Sequence, residues 1–110
     1  MKSFEVKAWI YDVNSQKMYL DIKDEWYSTL VGVGFELPPD EVESLYNNVN
    51  YIETANLLVF NYVVFDLQEA KRVFRYVKEL LKIAKKKYGC QGKAILKKIT
   101  AENIEEFEER

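Results

Sequence analysis

A chain of 110 residues that is 48% hydrophobic and 31% charged has the balance of a folded domain rather than a disordered segment, and is long enough to bury a core without metals or disulfides. It contains no histidine and one cysteine, Cys90, which excludes Ser–His and Cys–His nucleophile pairs, histidine-bearing zinc sites and an internal disulfide. The formal net charge is only −2, no apolar run approaches the roughly 18 residues of a membrane span, and the N-terminus alternates around Glu5 and Asp12 instead of resembling a secretory signal, so one domain over residues 1–110 in a reducing, cytoplasmic setting is expected.

Residues 3 to 13 read as a strand, with Phe4, Val6, Ala8 and Ile10 on one face and Trp9, Tyr11 and Val13 on the other. Asn14-Ser15-Gln16 carries turn chemistry, and residues 17 to 23 resume alternation through Met18, Leu20 and Ile22, so a hairpin is expected. Residues 24 to 28 read as a loop. A third strand is expected over 29 to 37, with Val31, Val33, Phe35 and Leu37 on one side and Gly32 and Gly34 on the other.

Pro38-Pro39 stops that strand. Pro39 fits the first position of a short helix over about 39 to 47, where Asp40, Glu41 and Glu43 complement the positive end of the helix dipole. A short strand near 51 to 54 and a nearly all-apolar strand over 57 to 65 follow; such a run is the pattern of a central strand. Asp66 and Glu69 form a capping box that opens a long helix over 67 to 88, and Gly89 ends it. A last strand over 93 to 99 and a short acidic helix capped by Thr100, containing Ile104 and Phe107, complete the order β-β-β-α-β-β-α-β-α. The class is α+β: a mainly antiparallel sheet with the long helix packed on one face. Residues 29 to 99 in this order resemble a ferredoxin-like β-α-β-β-α-β core, with a hairpin added in front.

The small net charge hides a strong partition. Residues 1 to 66 carry four lysines and eleven acids, residues 67 to 99 eleven bases and two acids, and residues 100 to 110 five acids and one arginine. On a wheel of 3.6 residues per turn, Ala70, Val73, Phe74, Val77, Leu80, Leu81, Ala84 and Tyr88 form the core stripe of the long helix. Lys71, Arg75, Lys78, Lys82 and Lys86 recur at steps of three or four along one flank that holds no acid. That flank is the candidate nucleic-acid surface, because a row of cations is the footprint of phosphate binding. It is equally what a solvated helix face looks like, and Lys85, Lys86 and Lys87 need no ligand at a helix C-terminus. Neutralisation of the flank by acids elsewhere in the fold is the favoured expectation. Tyr76 and Ile83, next to Arg72, lie off the core stripe seven residues apart, and these three are the candidate partner interface, with a second copy as the simplest partner.

Motifs for chemistry are weak. Asp12 with Asp21-Ile22-Lys23 resembles the carboxylate and lysine set of a metal-dependent nuclease, but acid-x-Lys triplets occur three times here, at Glu5, Asp21 and Glu69. Gly32-Val33-Gly34 leads to an acidic helix start that repels phosphate. Cys90 follows a helix C-terminus, the end that raises a thiol pKa. Trp9, Tyr11, Tyr19 and Tyr62 fall on predicted strands, where base stacking would need an open sheet face and packing is the commoner use. The five glutamates after residue 101 form either an acidic hook for a partner or a solvated end. The expectation is a non-catalytic protein that acts by binding another protein or its own copy, without metal, cofactor or membrane; nucleic-acid binding through the basic flank comes second and a small metal-dependent nuclease third.

Overall fold

The computed structural model describes residues 2–32, 37–99 and 102–110, and every structural statement below concerns these. The first strand, β1 (Phe4–Tyr11), alternates as its sequence dictates, with Phe4, Val6, Ala8 and Ile10 buried. It ends where Asp12 takes a left-handed φ of 62°. The reversal stops the alternation, and Val13 is fully buried instead of continuing the outer face.

The next element corrects the expected hairpin. Residues Gln16–Val31 form a helix, α1, so neither the strand over 17–23 nor the start of the strand over 29–37 exists. Ser15 caps it, its hydroxyl accepting from the Met18 N–H at 3.1 Å. Met18, Leu20 and Ile22 alternate, but the positions that α1 buries are Tyr19, Ile22, Trp26 and Leu30, at steps of three, four and four. Leu20 is exposed. The helical period wins because it extends over sixteen residues without glycine or proline, whereas the alternation lasts only seven. Of the remaining residues in the expected third strand, Val33, Gly34 and Phe35 lie outside the described residues, and Leu37 is not in a strand but sits before Pro38, the N-cap of the next helix.

From Pro39 onwards the elements follow their sequence signals: α2 (Pro39–Asn47) with Pro39 in its first turn, β2 (Val49–Ile52), a 3₁₀ turn at Glu53–Ala55, β3 (Leu57–Val64), α3 (Leu67–Tyr88) and β4 (Gly92–Lys98). Asp66 accepts the Glu69 N–H at 3.1 Å at the start of α3. At its end Gly89, at φ 70°, donates to Lys85 O, and Cys90 donates to Ala84 O, which is a Schellman closure. The acidic terminal segment is the second correction: Glu102–Glu109 is a strand, β5, not a helix. The Thr100 cap expected for that helix lies outside the described residues. Glutamate favours a helix locally, but β5 lies beside β4, where Lys93 Nζ meets Glu106 and Glu108 at 3.7 and 3.9 Å.

The sheet order is β2-β3-β1-β4-β5, antiparallel throughout. Each helical crossover therefore joins two strands that have a third between them: β3 lies between β1 and β2, and β1 lies between β3 and β4. This is the split β-α-β order of ferredoxin-like folds. Its frame differs from the one expected: its first strand is β1 rather than residues 29–37, and the added element is β5 at the C-terminal side rather than a hairpin in front. All the helices lie on one face of the sheet. Buried there are Leu58 and Phe60 of β3, Ala94 and Leu96 of β4 and the apolar stripe of α3.

Candidate functional site

Among the described residues, nothing forms a layer over the side of the sheet away from the helices. Strand register sets its residues in rows. Ile52, Leu57 and Tyr11 form one row; Asn50, Val59, Trp9, Lys93 and Glu108 form the next. Asn61, Lys7, Ile95 and Glu106 follow, then Val63, Glu5 and Lys97. Two regions result. The corner shared by β2, β3 and β1 is apolar and uncharged apart from Asn50, with Tyr11 44% and Ile52 41% exposed and Trp9, Leu57 and Val59 half-buried. The remainder is a lattice of ion pairs around Ile95, with Asn61 and the exposed Val63 beside it on β3.

The lattice is close to neutral. Lys97 lies 3.3 Å from Glu5, Lys7 lies 4.0 Å from the same carboxylate, and Lys93 serves Glu106 and Glu108. Lys7 also sits 5.9 Å from the centre of the Trp9 ring. Three lysines thus stand against three glutamates on this face. Ile95 is 8% exposed although no helix covers it. Lys93 and Lys97 flank it along the strand and Lys7 and Glu106 across it, and long charged side chains shield apolar neighbours with their stems. Of the four aromatics considered for base stacking, only Trp9 and Tyr11 face this way. Tyr19 belongs to α1 and stacks on Tyr51 at 5.2 Å; Tyr62 is on the helix side and stacks with Phe60 at 6.2 Å.

The partner surface expected on α3 is taken up inside the chain. Tyr76 is only 4% exposed, with the Trp26 indole N–H donating to its carbonyl oxygen at 3.1 Å. Ile83 is half-buried and packs against the core. Arg72 is held by Glu41 of α2 at 2.7 Å. Burial works against its charge, but the hydrogen bonds it makes with Glu41, to which it donates, and with Tyr76 outweigh this and raise its pKa. A wheel centred on the sheet contact leaves Tyr76 outside the stripe; α1, packed beside α3, widens the buried arc to include it.

The basic flank is more open than expected. Lys71, Arg75, Lys82 and Lys86 are exposed, and among the described residues Lys71, Arg75 and Lys86 have no carboxylate at ion-pair distance. Lys82 pairs with Glu79 of its own helix at 3.4 Å. Lys78 is half-buried, its ammonium 5.3 Å from the Phe74 ring and 6.0 Å from the Phe107 ring. The ion pairs that tie α3 to other helices, Arg72–Glu41 and Lys87–Glu25, lie off this flank. Among the described residues, then, no acidic segment pairs directly with Lys71, Arg75 or Lys86. Phe107 nevertheless brings β5 to the edge of the flank, and alternation puts Glu105 and Glu109 on the same side of that strand.

The nuclease constellation is not brought together. Asp21 and Lys23 lie on α1, where residues two apart diverge. Asp21 pairs with Lys17 at 2.7 Å, while Lys23 lies 4.2 Å from the centre of the Tyr46 ring. Among the described residues there is no group of three acidic or cysteine side chains placed to hold a metal. Cys90 is buried, which with nearby Asp12 pushes its thiol pKa up. No described helix is long and apolar enough to cross a membrane. An apolar groove between α1 and α2 is lined by Tyr27, Val31, Leu37, Val42 and Tyr46, with Glu43 the one carboxylate among the described residues that line it. No protein-family model, no curated protein and no solved structure matches this chain.

Proposed function

We propose that this chain is a non-catalytic binding protein that docks a protein partner, another chain or its own copy, on the open face of its sheet. The observation that carries the reading is β3. Its sequence, LLVFNYVV, has the near-continuous apolar pattern of a strand buried on both faces, yet only one face has helices over it. Leu57, Val59 and Val63 are thereby turned outwards on a strand that evenly alternating polar residues would have suited as well. An apolar corner rimmed by charged residues is the usual composition of a docking surface. The equal numbers of lysine and glutamate on the face favour a protein over a polyanion, which needs a net positive field.

The second reading is nucleic-acid binding along α3, favoured by the unpaired, exposed Lys71, Arg75 and Lys86. Glu79, Glu105 and Glu109 beside that flank weigh against it. A photo-crosslinker in place of Val59, in the protein expressed in cells, separates the readings when combined with titration of labelled single-stranded and duplex DNA and RNA. Protease-sensitive adducts, with no oligonucleotide binding at about 150 mM salt, fit the first. Nuclease-sensitive adducts, or micromolar binding lost on Arg75→Glu with Lys78→Glu, overturn it.

A further inference from the structure

We infer that the occupant of the open face is a second copy of this chain, seated face to face across a two-fold axis that passes through the apolar corner of Trp9, Tyr11, Ile52, Leu57 and Val59. This rests on the proposal that the open face is a protein-docking surface. A two-fold contact must be complementary to itself, because each residue meets the same patch turned over. A charged patch seldom satisfies that condition, since lysine then tends to meet lysine. An apolar patch satisfies it in any orientation. The corner combines five outward apolar side chains with no charge, while every lysine and glutamate of the face is already paired with a neighbour in its own sheet. Placing the axis in the corner leaves those pairs towards the rim, each with its own partner.

The dimensions suffice for a weak dimer. Strands of eight, four, eight, seven and eight residues, about 4.8 Å apart and rising about 3.3 Å per residue, give a face of roughly 550 Å² per copy. Two such faces bury at most about 1,100 Å², just under the range of standard stable interfaces, so a weak dimer in exchange with monomer is the expected state. Trp9 sits at the inner edge of the corner on the middle strand of the sheet, where an aromatic anchor contributes most. Lys7 over its ring leaves the other ring face available. The second tryptophan, Trp26, is fully buried, so changes in solvent access to indole report on Trp9.

Sedimentation velocity of the purified chain from about 5 to 500 μM, with acrylamide quenching of tryptophan over the same range, tests the inference. The expected result is a concentration-dependent dimer whose formation shields Trp9, weakened at least tenfold by Val59→Lys and unchanged by Arg75→Glu on α3. Should Val59→Lys fail to fold, the shielding of Trp9 with concentration in the wild type carries the test alone. A wild type that is monomeric throughout overturns the inference. Such a monomer without oligonucleotide binding leaves the docking-surface reading standing, whereas one that binds an oligonucleotide with quenching of Trp9 overturns that reading too. A dimer in which Trp9 stays open to acrylamide overturns the proposed face.

Discussion

The indole N–H of Trp26 donates to the backbone oxygen of Tyr76 at 3.1 Å, so two helices that are fifty residues apart in sequence are pinned by one side chain. Trp26 is fully buried and meets Phe60 of the sheet edge-on at 5.6 Å. Trp26→Ala is expected to cost about 3–5 kcal/mol through the cavity it leaves. Trp26→Phe keeps much of that volume and loses chiefly the hydrogen bond, for about 0.5–1.5 kcal/mol beyond any packing loss. Urea denaturation separates the two terms: both variants lack the indole N–H, so the difference between them is the packing share, and a Trp26→Phe variant as stable as the wild type would show that the bond contributes nothing.

Gly92 and Leu81 form a second linked pair. A Cβ on Gly92 would lie 3.0 Å from Trp9 O and 3.1 Å from Leu81 Cγ. Gly92→Ala is expected to destabilise by about 1–3 kcal/mol through overpacking. Leu81→Ala alone is expected to cost about 2–5 kcal/mol, since Leu81 is buried against the sheet. The double variant should be less destabilised than the sum, because truncating Leu81 removes one of the two collisions. The backbone oxygen remains, so relief should be partial. A double-mutant cycle by thermal or chemical denaturation reads the coupling, and strict additivity would contradict the contact.

Stability is expected to fall in alkali. Burial raises the pKa of the Cys90 thiol above its ordinary 9.0 and that of the Tyr62 hydroxyl above 10.0; Glu41 and Glu69 add to the second. An acid whose folded pKa is raised binds its proton more tightly in the native state. Below about pH 9 both states keep these protons and the groups do not affect stability; above it the unfolded chain releases them first. Stability should therefore decline as pH rises from about 9 to 11, with little change between pH 6 and 8 from these groups. Urea midpoints across that range test it. Iodoacetamide should label Cys90 slowly at pH 8 until the chain unfolds.

The β4–β5 ladder should respond to charge reversal in a limited way. Lys93 is partly exposed and shared between Glu106 and Glu108. Replacing either glutamate by lysine is expected to cost about 0.2–1 kcal/mol for the lost pair, and more when both are replaced, since like charges then face Lys93. Hydrogen exchange of the β5 amides should accelerate in the double variant while exchange in β1 stays slow. Unchanged β5 protection would mean that Phe107 and the backbone ladder alone hold the strand.

The parts of the fold that sequence reveals are those set by local chemistry. Pro38-Pro39, Asp66 with Glu69, and Gly89 each constrain their own backbone, and α2 and α3 begin and end where these residues put them. The hairpin expectation failed because Met18, Leu20 and Ile22 fit a period of two over a short window; Trp26 and Leu30, further on, carry the helical period. The terminal strand escaped because glutamate's preference for helix is local, while its lysine partners lie on another element. The same division holds for the candidate surface. Trp9 and Tyr11 could be assigned to one side of a strand from alternation alone, and the apolar run of β3 was visible. That this side carries no helix is a property of the whole topology. Tyr76 was placed off the core stripe for the converse reason: α1, itself unrecognised, packs beside α3 and reaches it through Trp26.

The central position of β1 also sets the order in which the molecule can assemble. Its residues pair with Leu57–Val64 on one side and with Gly92–Lys98 on the other, so Phe4 waits for Lys98. During synthesis the first strand is made long before either neighbour: one of its edges stays open until β3 follows, and the other until β4 follows. The local steps available early are α1, α2 and the β2–β3 hairpin, and the sheet closes only when β4 arrives. Such long-range closure places folding in the slow range for a chain of this size. It also makes the unfinished product, a β1 with two open edges, the species most prone to pair with a neighbour's strand.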